Sequence, residues 1–355
     1  MKILFLPKYD YLGASSRYRI LQYVEFYKKT GIVCKVLPMF SDGYIRALER
    51  NNNLLRSFYL FVAIVRRLFQ LFYIPFYNII YIEKELMPYF PAFFEWFMIK
   101  SRKKYILDYD DAIFEFYRKN DSFYKRKFLR NKIPYIVKKA SAIITGSPYL
   151  TKYCLQYNMN VYEIPTSINL DKYVEGKNKD NKFIIGWIGG KASSIHLYSI
   201  IDVLVEFVNR HNDVEVHLIG FNKNLVNLEI QKNKSIKIIV WRDDTEIEEM
   251  NQMTCGVMPL IGTTIAEGKC GFKLIQYMAC RKPTIASPFE ANLKIGKANN
   301  NLFATNHEEW LLCFEEIYHN RENFEKIGTL NRRTVEDYYS VQANAKKYIE
   351  IFNSL

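Results

Sequence analysis

Short apolar runs alternate with segments of helical periodicity along the whole chain. This rhythm is typical of parallel sheets whose strands are joined by crossover helices. In the first half, the predicted strands are residues 3–6, 33–37, 79–82, 105–107, 142–144 and 161–164. In the second half, they are residues 183–188, 214–219, 236–240, 256–260 and 283–286. The predicted fold class is therefore α/β, with one Rossmann-like parallel sheet in each half.

Residues 171–181 separate the two halves and contain almost no core-forming side chains. A chain of 355 residues with 49% apolar residues is long enough to bury two substantial cores. We therefore predict an N-terminal domain over residues 1–172 and a C-terminal domain over residues 173–335. The last segment, residues 336–355, has apolar positions at helical spacing and is predicted to close the fold as a helix.

Charge and cysteine content narrow the partners and the compartment. The net charge of +13 predicts an anionic partner, which is nucleic acid, an acidic membrane surface or a phosphorylated substrate. The six cysteines include no CxxC pair and no metal-finger spacing, which favours free thiols in a reducing cytoplasm and argues against zinc. Because Pro7 and Lys8 follow the first short apolar run, the start of the chain predicts a strand rather than a signal peptide. The expected localisation is cytoplasmic.

A doubly basic, glycine-containing loop leads into an apolar helix start near residue 270. Gly271 permits close approach of the backbone to an anion, and Lys269 and Lys273 add charge to the helix N-terminus. The predicted strands 256–260 and 283–286 flank this loop, so it falls at the ligand-binding edge of an α/β sheet. We predict a phosphate site here, with a solvated helix start as the alternative.

A second glycine loop, residues 189–194 with the sequence Gly-Gly-Lys-Ala-Ser-Ser, follows the first strand of the second half. Its backbone N–H groups suit a diphosphate, and the alternative is an ordinary turn in which Ser193 caps a helix. The loop lacks the GxGxxG spacing, and no clear acidic residue follows the next strand. Both observations argue against a nicotinamide cofactor.

The first half contains two polar clusters of interest. Arg17 and Arg19 follow a glycine-containing loop, and their guanidinium groups suit phosphate binding or, alternatively, a structural salt bridge. Asp108, Asp110 and Asp111 follow the predicted strand at 105–107. Clustered carboxylates at a strand end suit acid–base chemistry, cation binding or helix capping.

Two further segments bear on membrane contact. Residues 54–74 are mostly apolar but are interrupted by paired arginines, which predicts a buried or interfacial helix rather than a transmembrane span. Residues 118–132 combine seven basic side chains and three aromatic ones with a single acid, Asp121. This composition predicts peripheral docking on an anionic membrane, with a solvated basic face or nucleic-acid contact as alternatives.

Four short motifs follow one another in the second half of the chain. They are Met-Pro-Leu at residues 258–260, the glycine loop at 269–273, Tyr-Met-Ala at 277–279 and Lys-Pro-Thr-Ile-Ala-Ser at 282–287. That order is similar to the donor-binding half of family 4 glycosyltransferases. Further similar segments, at 13–19, 107–112, 165–168 and 186–190, extend the resemblance over nearly the whole chain. It implies the GT-B fold, in which two Rossmann-like domains face each other across a cleft and the C-terminal helix, here 336–355, crosses back to the first domain.

The resemblance also implies retaining transfer from a UDP-sugar or GDP-sugar, with no obligatory metal or other cofactor. Lys269 and Lys273 would stabilise the departing diphosphate, and Asp110 would orient or deprotonate the acceptor. The implied donor contacts are Gly189, Gly190, Lys191, Ser193, Met258, Glu267, Cys270, Gly271, Phe272 and Gln276. The implied acceptor or phosphate contacts are Gly13, Ser15, Ser16, Arg17 and Arg19. Many members of the family carry glutamates at the two positions that Gly268 and Gln276 occupy here.

Together these features predict a glycosyltransferase that extends a glycan or lipid-linked acceptor in surface polysaccharide biosynthesis. Its partners would be a nucleotide-sugar, the acceptor and the anionic inner face of the cytoplasmic membrane, and not nucleic acid. A nucleotide-sugar epimerase of similar architecture is an alternative, because the acids at 108–111 suit its chemistry. A non-catalytic protein that binds membrane or nucleic acid would account for the charge but not for the ordered glycine loops.

Overall fold

The structure is a computed structural model that describes residues 1–118, 122–176, 182–226 and 228–355. The chain divides into two compact units. The first unit comprises Met1–Ser167, Glu267–Cys270 and Asn344–Leu355, and the second comprises Ile168–Ala266 and Gly271–Ala343. Part of the predicted linker, residues 177–181, lies outside the described residues, as does Asp121 of the basic segment.

The first unit is built on a six-stranded sheet in the order β2-β1-β3-β4-β5-β6, and every strand pairing in it is parallel. Its strands are β1 (Lys2–Leu6), β2 (Val33–Val36), β3 (Ile79–Glu83), β4 (Lys104–Tyr109), β5 (Ala142–Thr145) and β6 (Val161–Glu163). Strand β3 is buried along its whole length, as expected for a central parallel strand that is covered on both faces. All six strands predicted from the sequence of this half are present.

Helices connect these strands and cover the sheet. They are α1 (Ala14–Arg19), α2 (Val24–Lys29), α3 (Asp42–Glu49), α4 (Asn53–Leu71), α5 (Phe93–Lys100), α6 (Ile113–Arg118), α7 (Lys132–Lys139) and α8 (Pro148–Leu155). The sequence marks several of their starts. Asn52 caps α4 by accepting a hydrogen bond from the Leu55 N–H at 3.0 Å, and Pro148 occupies the first turn of α8, where a missing N–H does no harm.

The second unit contains another six-stranded parallel sheet, in the order β12-β11-β10-β7-β8-β9. Its strands are β7 (Phe183–Ile188), β8 (Val214–Ile219), β9 (Ile236–Ile239), β10 (Cys255–Met258), β11 (Thr284–Ala286) and β12 (Leu302–Phe303). The two parallel sheets confirm the predicted α/β class. Strand β12 was not predicted, because two residues at a sheet edge are too few to show a hydrophobic period.

The helices of the second unit follow the same alternation. They are α9 (Ser194–Tyr198), α10 (Ile201–Arg210), α11 (Leu228–Lys232), α12 (Glu246–Gln252), α13 (Thr264–Glu267), α14 (Phe272–Ala279), α15 (Glu290–Gly296), α16 (His307–His319) and α17 (Arg321–Thr334). The last helix, α18 (Val341–Ser354), is counted with the first unit from Asn344 onward. There the ring of Tyr348 packs 4.8 Å from that of Tyr23, and Phe352 lies 5.2 Å from Tyr27.

Candidate active site

The first glycine loop of the second unit lies at the carboxyl edge of its sheet. The Gly189 N–H donates to the Ile219 carbonyl at 3.0 Å, which joins the ends of β7 and β8. Gly220 has φ +75° and lies so close to Gly189 that an added Cβ would stand 2.3 Å from the Gly189 oxygen. Gly190 has no atom within 4 Å of an added Cβ, so its backbone borders open space.

The residues that follow Gly190 close the turn. Lys191–Ser193 form a single helical turn before α9, and the Ser193 hydroxyl donates to the Gly190 carbonyl at 2.9 Å. Ser194 also bonds Gly190, and it accepts from the Asn222 N–H at 2.9 Å. Ser193 therefore stands at the N-cap position of α9 but closes the preceding turn instead of capping the helix through its side chain, and the exposed Lys191 is the charged group of this loop.

The second glycine loop leads into α14. Gly271, at the N-cap, has φ +65°, and an added Cβ would meet Ile295 at 2.3 Å, so both conformation and space call for glycine. The Lys273 ammonium lies 5.7 Å from the ring centroid of Trp187, the buried tryptophan of β7. The Tyr277 hydroxyl accepts from the Ile188 N–H at 3.0 Å and thereby anchors α14 to the end of β7.

Two further predicted donor contacts flank this region. Met258 ends β10 and is buried, and its carbonyl accepts from the Ser287 N–H at 3.1 Å. Phe272 is the partly buried first residue of α14. The second sheet therefore brings Gly189, Gly190, Met258 and the start of α14 to its carboxyl edge, where α/β sheets bind ligands.

Gln276 belongs to a buried polar network of the second unit. Its amide donates to the Glu246 carboxylate at 2.8 Å and to the Tyr173 hydroxyl at 3.3 Å. The indole N–H of Trp241 donates to the other oxygen of Glu246 at 2.6 Å. The negative charge that Gln276 lacks is thus present beside it, on Glu246.

The segment between α13 and α14 is counted with the first unit, although its neighbours are not. Lys269 pairs with Asp111 at 2.8 Å, and the buried Cys270 thiol donates to the Asp110 carbonyl at 3.0 Å. At Gly268 an added Cβ would lie 2.5 Å from the Ala112 Cβ, whereas Glu267 is only partly buried. The structure therefore places Lys269 and Cys270 beside the predicted acceptor acids, while Lys273 lies in the second unit.

The carboxyl edge of the first sheet holds a compact cluster of acids and hydroxyls. Glu83, the last residue of β3, accepts from the Ser15 hydroxyl at 2.6 Å and from the Lys8 N–H at 2.8 Å. Ser15 also contacts Asp110, and Ser16 donates to Glu83. Helix α1 thus presents both serines to carboxylates from the ends of β3 and β4.

A lysine binds this acid cluster together. Lys84 is buried, has φ +64°, and places its ammonium 3.0 Å from Asp110 and 3.1 Å from Asp111. Left-handed backbone at a non-glycine residue is strained, and such strain persists where surrounding contacts enforce it. Burial alone would raise the pKa of Asp111, but Lys84 and Lys269 hold that pKa well below its ordinary value.

The predicted phosphate-binding arginines are differently placed. Arg19 is buried, and its guanidinium donates to the Asp108 carboxylate at 2.9 and 2.6 Å. It also donates to the Ile164 carbonyl at 2.7 Å. Burial raises the pKa of Asp108 to about 6, although Arg19 and Tyr81 oppose the rise. Arg19 therefore forms the salt bridge considered as its alternative role. Arg17 is also buried and lies over the ring of Tyr18.

Gly13 precedes α1 as its N-cap, and an added Cβ would lie 2.2 Å from the Tyr9 Cβ. The sequence did not single out Glu83, Lys84 or Glu246. Glu83 and Lys84 directly follow an apolar strand, and this position is the signal that would have found them. Glu246 carries no such signal, because only the fold brings α12 next to α14.

The basic segment 118–132 is only partly exposed. Lys132 lies in the interior, where it pairs with Glu85 at 2.8 Å and Glu95 at 3.1 Å, so it is not part of a basic surface. Phe123 and Phe128 are exposed as expected. In the described part of the chain, no helix is long and apolar enough to cross a membrane, and no group of three or more His, Cys, Asp or Glu side chains is placed so that it could hold a metal ion.

Comparison with solved structures identifies the fold. Sucrose-phosphate synthase from Thermosynechococcus elongatus superposes with a TM-score of 0.73 at 12% identity, covering 100% of this chain and 98% of that one. A glycosyltransferase from Rickettsia africae superposes with a TM-score of 0.72 at 14% identity, covering 99% of this chain and 98% of that one. Anabaena Alr3699/HepE, in complex with UDP and glucose, superposes with a TM-score of 0.69 at 14% identity, covering 100% of both chains. The fold is GT-B, as predicted.

The sequence comparison gives the activity class. Residues 182–320 match the family model described as Glycosyl transferases group 1, and the matched segment includes both glycine loops. No curated protein sequence matches the chain significantly. The fold and the match define a glycosyltransferase enzyme, and this conclusion confirms the class predicted from the order of the motifs.

Proposed function

We propose that the second unit binds a nucleotide-sugar through its sheet edge and that the enzyme transfers the sugar, with retention of configuration, to a glycan or lipid-linked acceptor. The observation that carries the proposal is the carboxyl edge itself, where Gly190, the Gly271 N-cap and Lys273 combine backbone donors with positive charge. This combination suits a diphosphate. The related fold of Alr3699/HepE holds UDP and UDP-glucose, which makes UDP-sugars the first donors to test, followed by GDP-sugars.

The acceptor end of the proposal rests on the first unit. Asp110 is bound by Ser15 and Lys84, so both of its oxygens have partners. A carboxylate held in this way is better suited to orient an acceptor hydroxyl than to remove its proton. We propose that Asp110 and Glu83 together orient the acceptor hydroxyl and that Ser15, which contacts both carboxylates, links them. Lys269 would have to break its ion pair with Asp111 before its ammonium could stabilise the leaving diphosphate.

The proposed setting is surface polysaccharide synthesis at the inner face of the cytoplasmic membrane. The excess of positive charge and the exposed aromatic side chains of the segment 122–130 support contact with anionic lipid. A lipid-linked acceptor would then be presented at the surface on which the enzyme rests.

Thermal unfolding against a panel of nucleotides and nucleotide-sugars tests the donor site. A ligand at a hundredfold excess over Kd stabilises by about 2.7 kcal/mol, which raises Tm by about 5–10 °C for a domain of this size. We expect such a shift with one nucleotide class, and a clearly smaller one in Lys273→Ala. Lys297→Ala is the matched control, since Lys297 is an exposed lysine of the same unit. A folded protein whose Tm responds to none of these ligands would contradict the proposal.

A further inference from the structure

Helix α4 is apolar on two opposite faces. Its inner face is anchored in the first unit, where Leu60, Ala63 and Ile64 pack with the buried Met39 and Phe40. A surface helix normally turns polar side chains outward. The outward stripe of α4 and the turn after it instead carries apolar residues at helical spacing, which are Leu54, Phe58, Phe61, Leu68, Phe69 and Phe72. Phe61 and Phe72 are 65% and 73% exposed.

Helix α5 carries a second group of exposed apolar side chains. Phe94 of α5 packs in the same cluster as Ile64 of α4, so the two helices are neighbours over one part of the core. On the outward side of α5, Phe93 and Phe97 are exposed and their rings lie 4.7 Å apart. We call the exposed apolar residues of both helices the aromatic face. Exposed apolar surface of this extent marks an interaction site in a stable protein.

The chain segment that carries α4 and α5 exposes charges of one sign. From residue 50 to residue 107 the acids are Glu83, Glu85 and Glu95, and each is buried. The exposed charged residues of the same range are Arg50, Arg56, Lys100, Arg102 and Lys104. An apolar face whose own chain segment exposes only cationic side chains complements an anionic, apolar partner, whereas a second copy of the same face would bring like charges together.

We propose that the aromatic face docks the first unit onto an anionic lipid bilayer, with α4 lying in the plane of the interface. Phenylalanine and leucine side chains enter the acyl boundary, and the arginines and lysines bind lipid phosphates. Tryptophan favours the same level of a membrane, and Trp96 of α5 is exposed there. That the bilayer also carries the acceptor rests on the proposed function, but docking itself does not.

Sedimentation with lipid vesicles tests the docking. We expect the parent to bind vesicles of phosphatidylcholine mixed with phosphatidylglycerol, to bind pure phosphatidylcholine far less, and to dissociate as salt increases. Phe61→Ser/Phe69→Ser should reduce the affinity roughly tenfold or more, since two inserted rings are lost. Leu312→Ser/Leu330→Ser is the matched control, because it removes two exposed apolar side chains from the second unit and should bind as the parent does.

Two outcomes would overturn the proposal: a parent that ignores anionic vesicles, or a double variant that binds them as well as the parent. A dimer of the parent that Phe61→Ser/Phe69→Ser dissociates would assign the face to a second copy instead. Equal melting temperatures of the variants, and equal shifts with the donor nucleotide, show that folding and the donor site are intact. Vesicle binding without any nucleotide response would leave docking standing while the proposed function fails.

Discussion

The carboxyl edges of the two sheets solve different chemical problems with different parts of the chain. In the first unit the edge consists of side chains that bind one another, with Glu83, Asp110 and Asp111 held by Ser15 and Lys84. In the second unit it consists largely of backbone, with Gly190 beside open space and Gly271 at the start of α14. Preorganised acids suit the orientation of hydroxyl groups, and exposed amides suit phosphate oxygens.

The same type of sheet can therefore build a site of mutually paired side chains and a site of accessible backbone. A cluster of buried charges is held in place because each member satisfies another, so removing one member leaves the rest unpaired. A glycine-rich edge has no such network of paired charges, so its stability does not depend on one side chain satisfying another. We therefore expect substitutions in the first unit to act on stability and transfer, and those in the second to act on donor affinity.

The largest effect should come from Asp110→Asn. The amide keeps the size of the side chain but cannot orient an acceptor through negative charge, so transfer should fall by roughly 10²-fold. The Tm shift with donor should be unchanged, since the donor site is in the other unit. A transfer assay beside the thermal assay measures both. Transfer at the parental rate, or a lost donor shift, would break the division of labour between the two edges.

Next in size is the stability change of Lys84→Met. Removing this ammonium leaves Asp110 without its cationic partner and Asp111 with Lys269 alone, so unfolding by denaturant should show a loss of about 3 kcal/mol at neutral pH. The matched substitution in the second unit, Lys273→Met, should cost clearly less, about 1 kcal/mol, because the Lys273 ammonium lies 5.7 Å from the Trp187 ring and a cation–π contact is weaker than a buried ion pair. Equal losses in the two variants would show that the edges do not differ in this way.

The pH dependence of the Lys84→Met effect follows from Asp111. Lys84 and Lys269 lower the folded-state pKa of Asp111 below its ordinary value of 3.8. The carboxylate therefore contributes stability that is present above about pH 4 and is lost as the pH falls further. The parent and the variant should accordingly converge in stability under acid. A gap that stays constant down to low pH would point to lost packing instead.

The smallest effect on stability should be that of Gly190→Ala. Nothing lies within 4 Å of the added methyl group, so unfolding should change by less than about 0.5 kcal/mol, while donor binding weakens because the methyl occupies the donor edge. Gly189→Ala is the contrasting control, since its Cβ would stand 2.6 Å from Ser193 and Trp187 and strain the fold. A full donor response in Gly190→Ala would place the nucleotide elsewhere.

Sequence patterns were enough for the class and architecture, because apolar strands and glycine loops are local signals. The strand ends near residues 83, 109, 188 and 258 were predicted to within two residues. Partners brought together by the fold were not predictable in this way. Glu246 meets Gln276 across 30 residues, and Arg19 meets Asp108 across 89. A free arginine and an internally paired one look the same in sequence, and burial decides between them.

The contact between Gly268 and Ala112 also restricts which residues position 268 can accept by mutation. An acid at position 268 would need room that the Ala112 Cβ at 2.5 Å and its backbone nitrogen at 2.9 Å both occupy. Replacing Ala112 with glycine removes only the first obstacle, because the nitrogen stays. A glutamate at position 268 would therefore not be accommodated by that single substitution, because the backbone at Ala112 would first have to move.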